Sequence, residues 1–180
     1  MRFLALDLEA TGLNPNEHQI LQISAIAFDL DGNEAEFNTF VRWAQYVGQE
    51  KALAMNVNTI KKCDAEGYGI TSALLLFSEF LQRQLTKTSN RLLFPVGFNV
   101  SAFDVAFLKV AESKAPDDIK ISKRISHRGI ELGTLYLNPK TGEPATSHLL
   151  SRQFFGRDPT HDALQDCKDA KVLFLQRLKK

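Results

Sequence analysis

The sequence predicts an α/β domain in which helices pack on the faces of one mixed, five-stranded sheet. Residues 2–43 contain three apolar runs separated by turn residues, which is typical of strands joined by tight turns. After residue 70, helical and strand patterns alternate, as they do in βα units. With 180 residues, of which 44% are hydrophobic and 24% charged, the chain has the size and composition of one globular domain with its own core.

The first strand is predicted within the stretch from Arg2 to Gly12 and carries two carboxylates on one face. That face consists of Phe3, Ala5, Asp7 and Glu9. The alternate positions are leucines, so the strand is apolar on both sides and is predicted to be central. Two acids about 7 Å apart in such a strand need compensation, because burying a charge is costly. A divalent cation would provide it, and so would an arginine or backbone amides.

Two more strands follow through short turns. Residues 12–16 form the first turn, and residues 18–30 alternate as a buried strand. Asp31-Gly32 predicts a hairpin into a third strand over residues 34–43. These three strands are expected to form an antiparallel meander.

The rest of the chain predicts a short helix over residues 49–55, a loop over the polar residues 56–69, and then alternating elements. The later helices are expected at 70–87, 101–114, 146–155 and 159–178, and the strands at 92–98 and 130–137. Asp158 and Pro159 are a favourable N-cap and first residue for the last helix.

The net charge of +1 hides an asymmetry along the chain. Residues 1–40 hold one base against seven acids, a balance of −6, so the remainder carries +7. Basic residues cluster between Lys109 and Arg128. This cluster predicts either a phosphate-binding rim around an acidic centre or a solvated face. The overall charge suits a nucleic-acid end or a short oligomer better than a long strand held by counterion release alone.

Membrane and extracellular classes are not expected. No apolar run approaches 18 residues, and the first residues enter a strand at once, which excludes a transmembrane helix and a secretory signal. Cys63 and Cys167 show no CxxC spacing. They are predicted to be reduced, buried thiols of a cytoplasmic protein.

Two further acids are predicted to face the core. Asp104 lies within the apolar stripe of its helix, beside Phe107, although an acid in a first turn also interacts favourably with the helix dipole. Asp166 lies at the margin of the inward face of the last helix. Asp162 and Asp169 lie further round that helix and are predicted to be solvated.

Four inward carboxylates from three segments predict a metal centre, because they cannot all ionise in an apolar pocket without cations. Oxygen ligands without cysteine favour Mg²⁺ or Mn²⁺, and four acids suit two ions about 3.5–4 Å apart. Such a site performs phosphoryl chemistry, in which one ion activates water and the other stabilises the leaving oxygen. His161 would take the water's proton, or would be an ordinary residue at a helix start.

Three motifs resemble those of the DEDDh, or DnaQ-like, 3′–5′ exonuclease superfamily. They are D-L-E-A-T-G-L from Asp7, F-N-V-S-A-F-D-V-A-F-L from Phe98, and H-D-A-L-Q-D-C from His161. The resemblance covers nearly the whole chain in the family's order and implies one RNase H-like exonuclease domain over residues 1–180. It implies His161 as general base and four metal ligands, which are Asp7, Glu9, Asp104 and Asp166.

The resemblance also implies contacts with substrate. Ala10 and Thr11 would meet the 3′-terminal sugar, Leu13 would pack against the terminal bases, and Phe98 and Asn99 would line the same site. Phe98 stands where many members have histidine, and it is either a base-stacking residue or a core aromatic at a strand end. A second departure is Gly133-Thr134, where the family often has Asp-Thr.

The sequence therefore predicts an Mg²⁺- or Mn²⁺-dependent 3′–5′ exonuclease that releases nucleoside 5′-monophosphates from single-stranded DNA or RNA. The rival is a non-catalytic module that binds nucleic-acid ends or a protein partner in the same cleft. A homodimer or a polymerase partner fits either alternative.

Overall fold

The computed structural model describes residues 1–89 and 91–179. The strands are β1 (Phe3–Ala10), β2 (Ile20–Phe28), β3 (Glu34–Phe40), β4 (Phe94–Gly97) and β5 (Ile130–Glu131). The helices are α1 (Glu50–Met55), α2 (Val57–Glu66), α3 (Ile70–Leu85), α4 (Asp104–Ser113), α5 (Leu132–Leu135), α6 (Ser147–Phe155) and α7 (Ala163–Leu178).

The strands form one sheet in the order β3-β2-β1-β4-β5. The first three strands are antiparallel, and β4 and β5 run parallel to β1 and to each other. This arrangement confirms the predicted mixed five-stranded α/β sheet and the central position of β1.

The alternation along β1 separates two hydrophobic layers. The leucines of β1 pack with Leu74 and Phe77 of α3. On the other face, Phe3 packs against Phe174 of α7, with ring centroids 4.7 Å apart. The sheet is thus buried on both sides, and polar side chains of β1 can reach solvent only at its carboxyl end.

The pairing between β1 and β4 is short, and this opens the sheet. The two strands are paired only at Phe3, Leu4 and Ala5 of β1. Beyond Ala5, β1 continues for five residues without β4 beside it. A cleft begins where the two strands separate.

Three predicted elements differ from the structure. Residues 57–66 form α2 rather than a loop; its buried face consists of Thr59 and Cys63 alone, so the apolar period is too weak to recognise. The predicted strand at 130–137 ends after two residues, because its partner β4 ends at Gly97, and the chain turns into α5.

The last helix begins at Ala163, not at Pro159. The Asp162 side chain accepts hydrogen bonds from the backbone N–H groups of Leu164 and Gln165, so Asp162 is the N-cap. The backbone of His161 has φ +53°, which prevents an earlier start. Asp158 instead forms an ion pair with Arg152 of α6.

Both cysteines are buried and neither forms a disulfide. Within residues 1–89 and 91–179, every helix is too short or too polar to cross a lipid bilayer.

Candidate active site

Asp7 and Glu9 lie at the carboxyl end of β1, where the strand has left β4. Glu9 is 9% exposed and Asp7 is half-buried. Their side chains share the strand face that carries Phe3 and Ala5 further back, so an otherwise apolar face ends in two carboxylates. Both line a cleft of about 520 Å³.

Asp104 hydrogen-bonds to β1 beyond the point where β1 is paired with β4. It is the first residue of α4 and is 2% exposed. Its Oδ1 accepts a hydrogen bond of 2.8 Å from the backbone N–H of Leu8. The acid is therefore anchored to β1 itself, between the two positions that carry Asp7 and Glu9.

Asp166 reaches the same place from the first turn of α7. Its Oδ1 accepts hydrogen bonds from the backbone N–H and the hydroxyl of Thr160, at 3.2 and 3.0 Å. One carboxylate oxygen each of Asp7, Glu9 and Asp166 lie within 4.8 Å of one another. Asp104 lies outside that trio but close enough to Asp7 to raise its pKa by charge repulsion.

Burial raises the pKa of all four acids, and the charges of neighbouring carboxylates add to this rise. Burial is the largest cause in each case, followed for Asp7 by the charges of Asp104, Glu9 and Asp166. The pKa values of Asp7 and Asp104 lie well above the ordinary value, that of Asp166 is raised, and that of Glu9 reaches about 7. Within the described residues, none of the four forms an ion pair with lysine or arginine.

Four acids held together without a basic partner suit a divalent cation. The donor set consists of carboxylate oxygens alone, which are the ligands of hard cations such as Mg²⁺ and Mn²⁺. An arginine partner, one of the alternatives that β1 alone leaves open, is absent from the described ion pairs of these acids. Backbone N–H groups partly stabilise the negative charges of Asp104 and Asp166. They do not neutralise the combined charge of Asp7, Glu9 and Asp166.

His161 lies on the rim of the cleft, two residues before α7. It is exposed and lines the cleft with Asp166. The segment that carries it, residues 156–162, is held by three ion pairs: Arg157–Asp169, Arg152–Asp158 and Lys62–Asp162. Thr160 ties the same segment to Asp166. These contacts hold the backbone of the segment beside Asp166, while the imidazole of His161 is exposed at the rim of the cleft.

Asp169 was predicted to be solvated, and that prediction is wrong. The residue is 7% exposed, and both of its carboxylate oxygens accept hydrogen bonds from Arg157, at 2.8 and 2.7 Å. Asp162, predicted to be solvated as well, is half-buried as the N-cap of α7. Both acids hold the segment that carries His161.

Among the residues implied in substrate contact, four line the cleft: Ala10, Leu13, Phe98 and Asn99. Leu13 is 73% exposed and projects at the edge. Thr11 is fully buried, and its hydroxyl donates to the Val47 carbonyl at 2.7 Å and accepts from the Gln19 N–H at 2.9 Å. Its side chain holds the β1–β2 loop, so a contact with a sugar would have to come from its backbone.

A sequence model of the exonuclease family (RNase_T) matches residues 4–174. The chain belongs to this exonuclease family. The match covers all three motifs and places the chain in the DEDDh, or DnaQ-like, superfamily that they resemble. A search of curated proteins gives no match.

Solved structures show the same fold for members of this exonuclease family. E. coli exonuclease I in complex with a dT13 oligonucleotide matches with a TM-score of 0.74 at 18% identity, over 98% of this chain and 40% of that chain. The zinc ion bound form of an E. coli exonuclease I–ssDNA complex matches with a TM-score of 0.73 at 17% identity, over 98% and 40%. The exonuclease chain thus spans about two fifths of the length of these structures.

Several lining residues of the exonuclease cleft have no signal in the sequence. Asn56, 4% exposed, donates from Nδ2 to the carbonyls of Ala10 and Ala52. Ser147, His148 and Ser151 of α6 form the opposite wall. They come from segments predicted as a loop over residues 56–69 and as a helix over residues 146–155, and only the tertiary structure brings them to the cleft.

The cleft of the exonuclease domain is not surrounded by a basic rim. Among the described residues that line it, Lys51 is the one lysine or arginine. Three members of the predicted basic cluster, Lys120, Lys123 and Arg124, line a different cavity. The prediction of a phosphate-binding rim around the acidic centre is therefore wrong in its position.

The metal-free protein is expected to lose stability as the pH rises from about 4.5 to about 7. When folding raises the pKa of a carboxyl, its contribution to stability is fully present at pH values below the pKa of the unfolded protein. The contribution is lost as the pH rises through the pKa of the folded protein. For Glu9 these values are 4.5 and about 7. The expected loss is on the order of 3 kcal/mol from Glu9 alone, and the other three acids act in the same direction.

Urea unfolding in EDTA at several pH values measures this loss. Mg²⁺ should flatten the decline, because ions favour the deprotonated ligands. Glu9→Gln should also flatten it without Mg²⁺, whereas Glu66→Gln, on the exposed end of α2, should not. A metal-free protein whose stability increases over this range would contradict the assignment.

Proposed function

We propose that this chain is a metal-dependent 3′–5′ exonuclease that hydrolyses the terminal phosphodiester of single-stranded nucleic acid and releases nucleoside 5′-monophosphates. The observation that carries the proposal is the meeting of four carboxylates from three elements, with His161 beside them, in one cleft. The family membership of the chain supports it.

The carboxylates define where the reacting phosphate lies. Asp7, Glu9, Asp104 and Asp166 would hold two divalent cations, with Mg²⁺ or Mn²⁺ as the ions that suit them. When bound, such a pair activates water and stabilises charge on the phosphate and on the leaving oxygen. The protein positions the ligands before substrate arrives, because Leu8 fixes Asp104 and Thr160 fixes Asp166.

His161 is suited to accept the proton of the attacking water. Histidine exchanges protons readily near neutral pH, and this one lies on the rim of the cleft beside Asp166. Its exposure allows the proton to pass on to solvent. The ion pairs of Asp158 and Arg157 hold the backbone segment that carries it beside Asp166.

The shape of the cleft favours a chain end over an internal bond. Its volume of about 520 Å³ is that of a site for a small molecule and holds one or two nucleotides rather than a duplex. Leu13 and Met55, 73% and 47% exposed, flank it with apolar side chains on which bases can pack. DNA and RNA oligonucleotides are both proposed substrates.

A 3′-phosphate on the substrate should slow digestion by at least about tenfold. The terminal sugar would lie against Ala10, which is 7% exposed and is followed by the buried Thr11, so little room remains beyond it. The added phosphate would also bring negative charge beside the carboxylates. The test compares internally labelled oligonucleotides with 3′-hydroxyl and 3′-phosphate ends, and a phosphate added at the 5′ end serves as the control.

Equal digestion rates for the 3′-hydroxyl and the 3′-phosphate substrates would contradict the exonuclease proposal. First products that arise from cleavage in the middle of the strand would contradict it as well. Strand binding without any product would favour the non-catalytic module instead. A homodimer, a polymerase partner and a cytoplasmic location stay predictions.

A further inference from the structure

A second cavity, of about 440 Å³, lies at the opposite end of the sheet from the acidic cleft. We call it the basic pocket; its lining residues are Gln82, Leu85, Thr86, Arg91, Lys120, Lys123 and Arg124. Arg91 lies three residues before Phe94, which pairs with Phe3, whereas Asp7 lies four residues further along β1. At about 3.3 Å per residue, the basic pocket and the carboxylates are on the order of 20 Å apart.

Four of the seven lining residues are cationic and none is acidic. Within the described residues, Arg91, Lys120, Lys123 and Arg124 form no ion pair. Cations gathered without a counter-charge repel one another, and a bound anion would relieve that repulsion.

Arg124 is held rigidly at the wall of the basic pocket. Its Nε donates to Gln82 Oε1 at 3.0 Å, and its Nη1 donates to the Ser78 hydroxyl and to the Lys120 carbonyl, each at 2.7 Å. These bonds use three of the five guanidinium N–H groups and leave those of Nη2 for a ligand. A fixed guanidinium loses little entropy when it binds, and its geometry suits phosphate.

The half-buried ring of Trp43 offers a base a contact between the acidic cleft and the basic pocket. A third cavity, of about 270 Å³, includes Trp43 and the buried Phe107 in its lining. It lies next to the cleft, because Phe107 contacts Phe103 of the cleft wall with ring centroids 4.8 Å apart. Helix α3 contributes to this cavity at its start and to the basic pocket at its end, about 18 Å further on.

We propose that the basic pocket binds backbone phosphate of the same single strand whose 3′ end occupies the acidic cleft. This proposal rests on the proposed exonuclease function. The strand would run past Phe103 and Trp43, along α3, and its phosphate would meet Arg91, Lys120, Lys123 and Arg124. Long strands then gain a contact that short ones cannot reach, although the net charge of the chain is only +1.

The test compares Lys120→Gln/Lys123→Gln with the control Lys109→Gln/Lys179→Gln, whose lysines are exposed outside the basic pocket. Both pairs are made in an Asp7→Asn background, and binding of labelled single strands of about 4 and about 20 nucleotides is measured at several salt concentrations. The pocket variant should bind the long strand on the order of tenfold more weakly at about 0.1 M salt and the short strand almost as before. Its slope of log K against log salt should fall by about 1.4 for the long strand.

Equal weakening for both lengths, an unchanged salt slope, or the same loss in the control would overturn the proposal. If inorganic phosphate binds the basic pocket and the affinity for strands does not depend on their length, the pocket is a site for a free anion. That result would also overturn the proposal. Failure of the exonuclease function is a separate outcome, because the unmodified protein would then digest neither length in Mg²⁺.

Discussion

Asp7→Asn is expected to reduce exonuclease turnover by about 10³-fold or more. Asp7 lies close to all three other acids, since the charges of Asp104, Glu9 and Asp166 each raise its pKa. Asparagine keeps the shape of the side chain but removes a negative ligand, and loss of one preorganised electrostatic group at the reacting centre costs about 10²–10³-fold or more. The rate on a 5′-labelled oligonucleotide in Mg²⁺ measures the effect.

The same substitution should make the metal-free protein more stable at neutral pH, because it removes one of four repelling charges from a buried position. Loss of activity with a gain in stability separates a functional acid from a structural one. Asp117→Asn, in an exposed loop, is the matched control and should change neither property. An Asp7→Asn protein that unfolds, or that retains activity, would contradict the assignment.

His161→Ala is expected to lower kcat by about 10²–10⁴-fold, the usual contribution of a general base. The substitution removes the proton acceptor at the rim and leaves the four carboxylates in place. Mg²⁺ affinity and KM should change little, because the side chain is exposed and makes no hydrogen bond that holds Asp166. Alanine also suits the left-handed backbone no better than histidine does, so stability should be nearly unchanged.

The control for this variant is His127→Ala, which is exposed and outside the cleft. A rise in KM with unchanged kcat would assign His161 to substrate binding instead of proton transfer. Partial recovery of kcat by added imidazole would support the proton-transfer role.

The inward position of the acids was predictable because strand and helix periods report where a side chain points. Alternation along β1 placed Asp7 and Glu9 on one face, and the apolar stripe of α4 placed Asp104 toward the sheet. Neither period reveals that β4 leaves β1 after Ala5, which is why Asp104 bonds to the backbone of Leu8. That separation is a property of the whole sheet.

The burial of Asp169 and the position of the basic residues after Lys109 were not predictable in the same way. Asp169 looks solvated on a helical wheel, and it is buried because Arg157, in the seven-residue loop between α6 and α7, pairs with it. The basic residues after Lys109 look like a rim for the acidic centre, but the chain between α4 and β5 carries Lys120 and Arg124 to the far end of the sheet. In both cases the position of the residue depends on contacts between separate elements of the structure, and no local sequence pattern predicts those contacts.

The central claim is that cations held by these carboxylates drive removal of nucleotides from a 3′ end. The most direct measurement incubates 5′-labelled single-stranded DNA and RNA with the protein in Mg²⁺ or in EDTA and sizes the products at single-nucleotide resolution. We predict a ladder that shortens one nucleotide at a time from the 3′ end in Mg²⁺ and intact strands in EDTA. Full digestion in EDTA, or release of the 5′ label as the first product, would contradict this account.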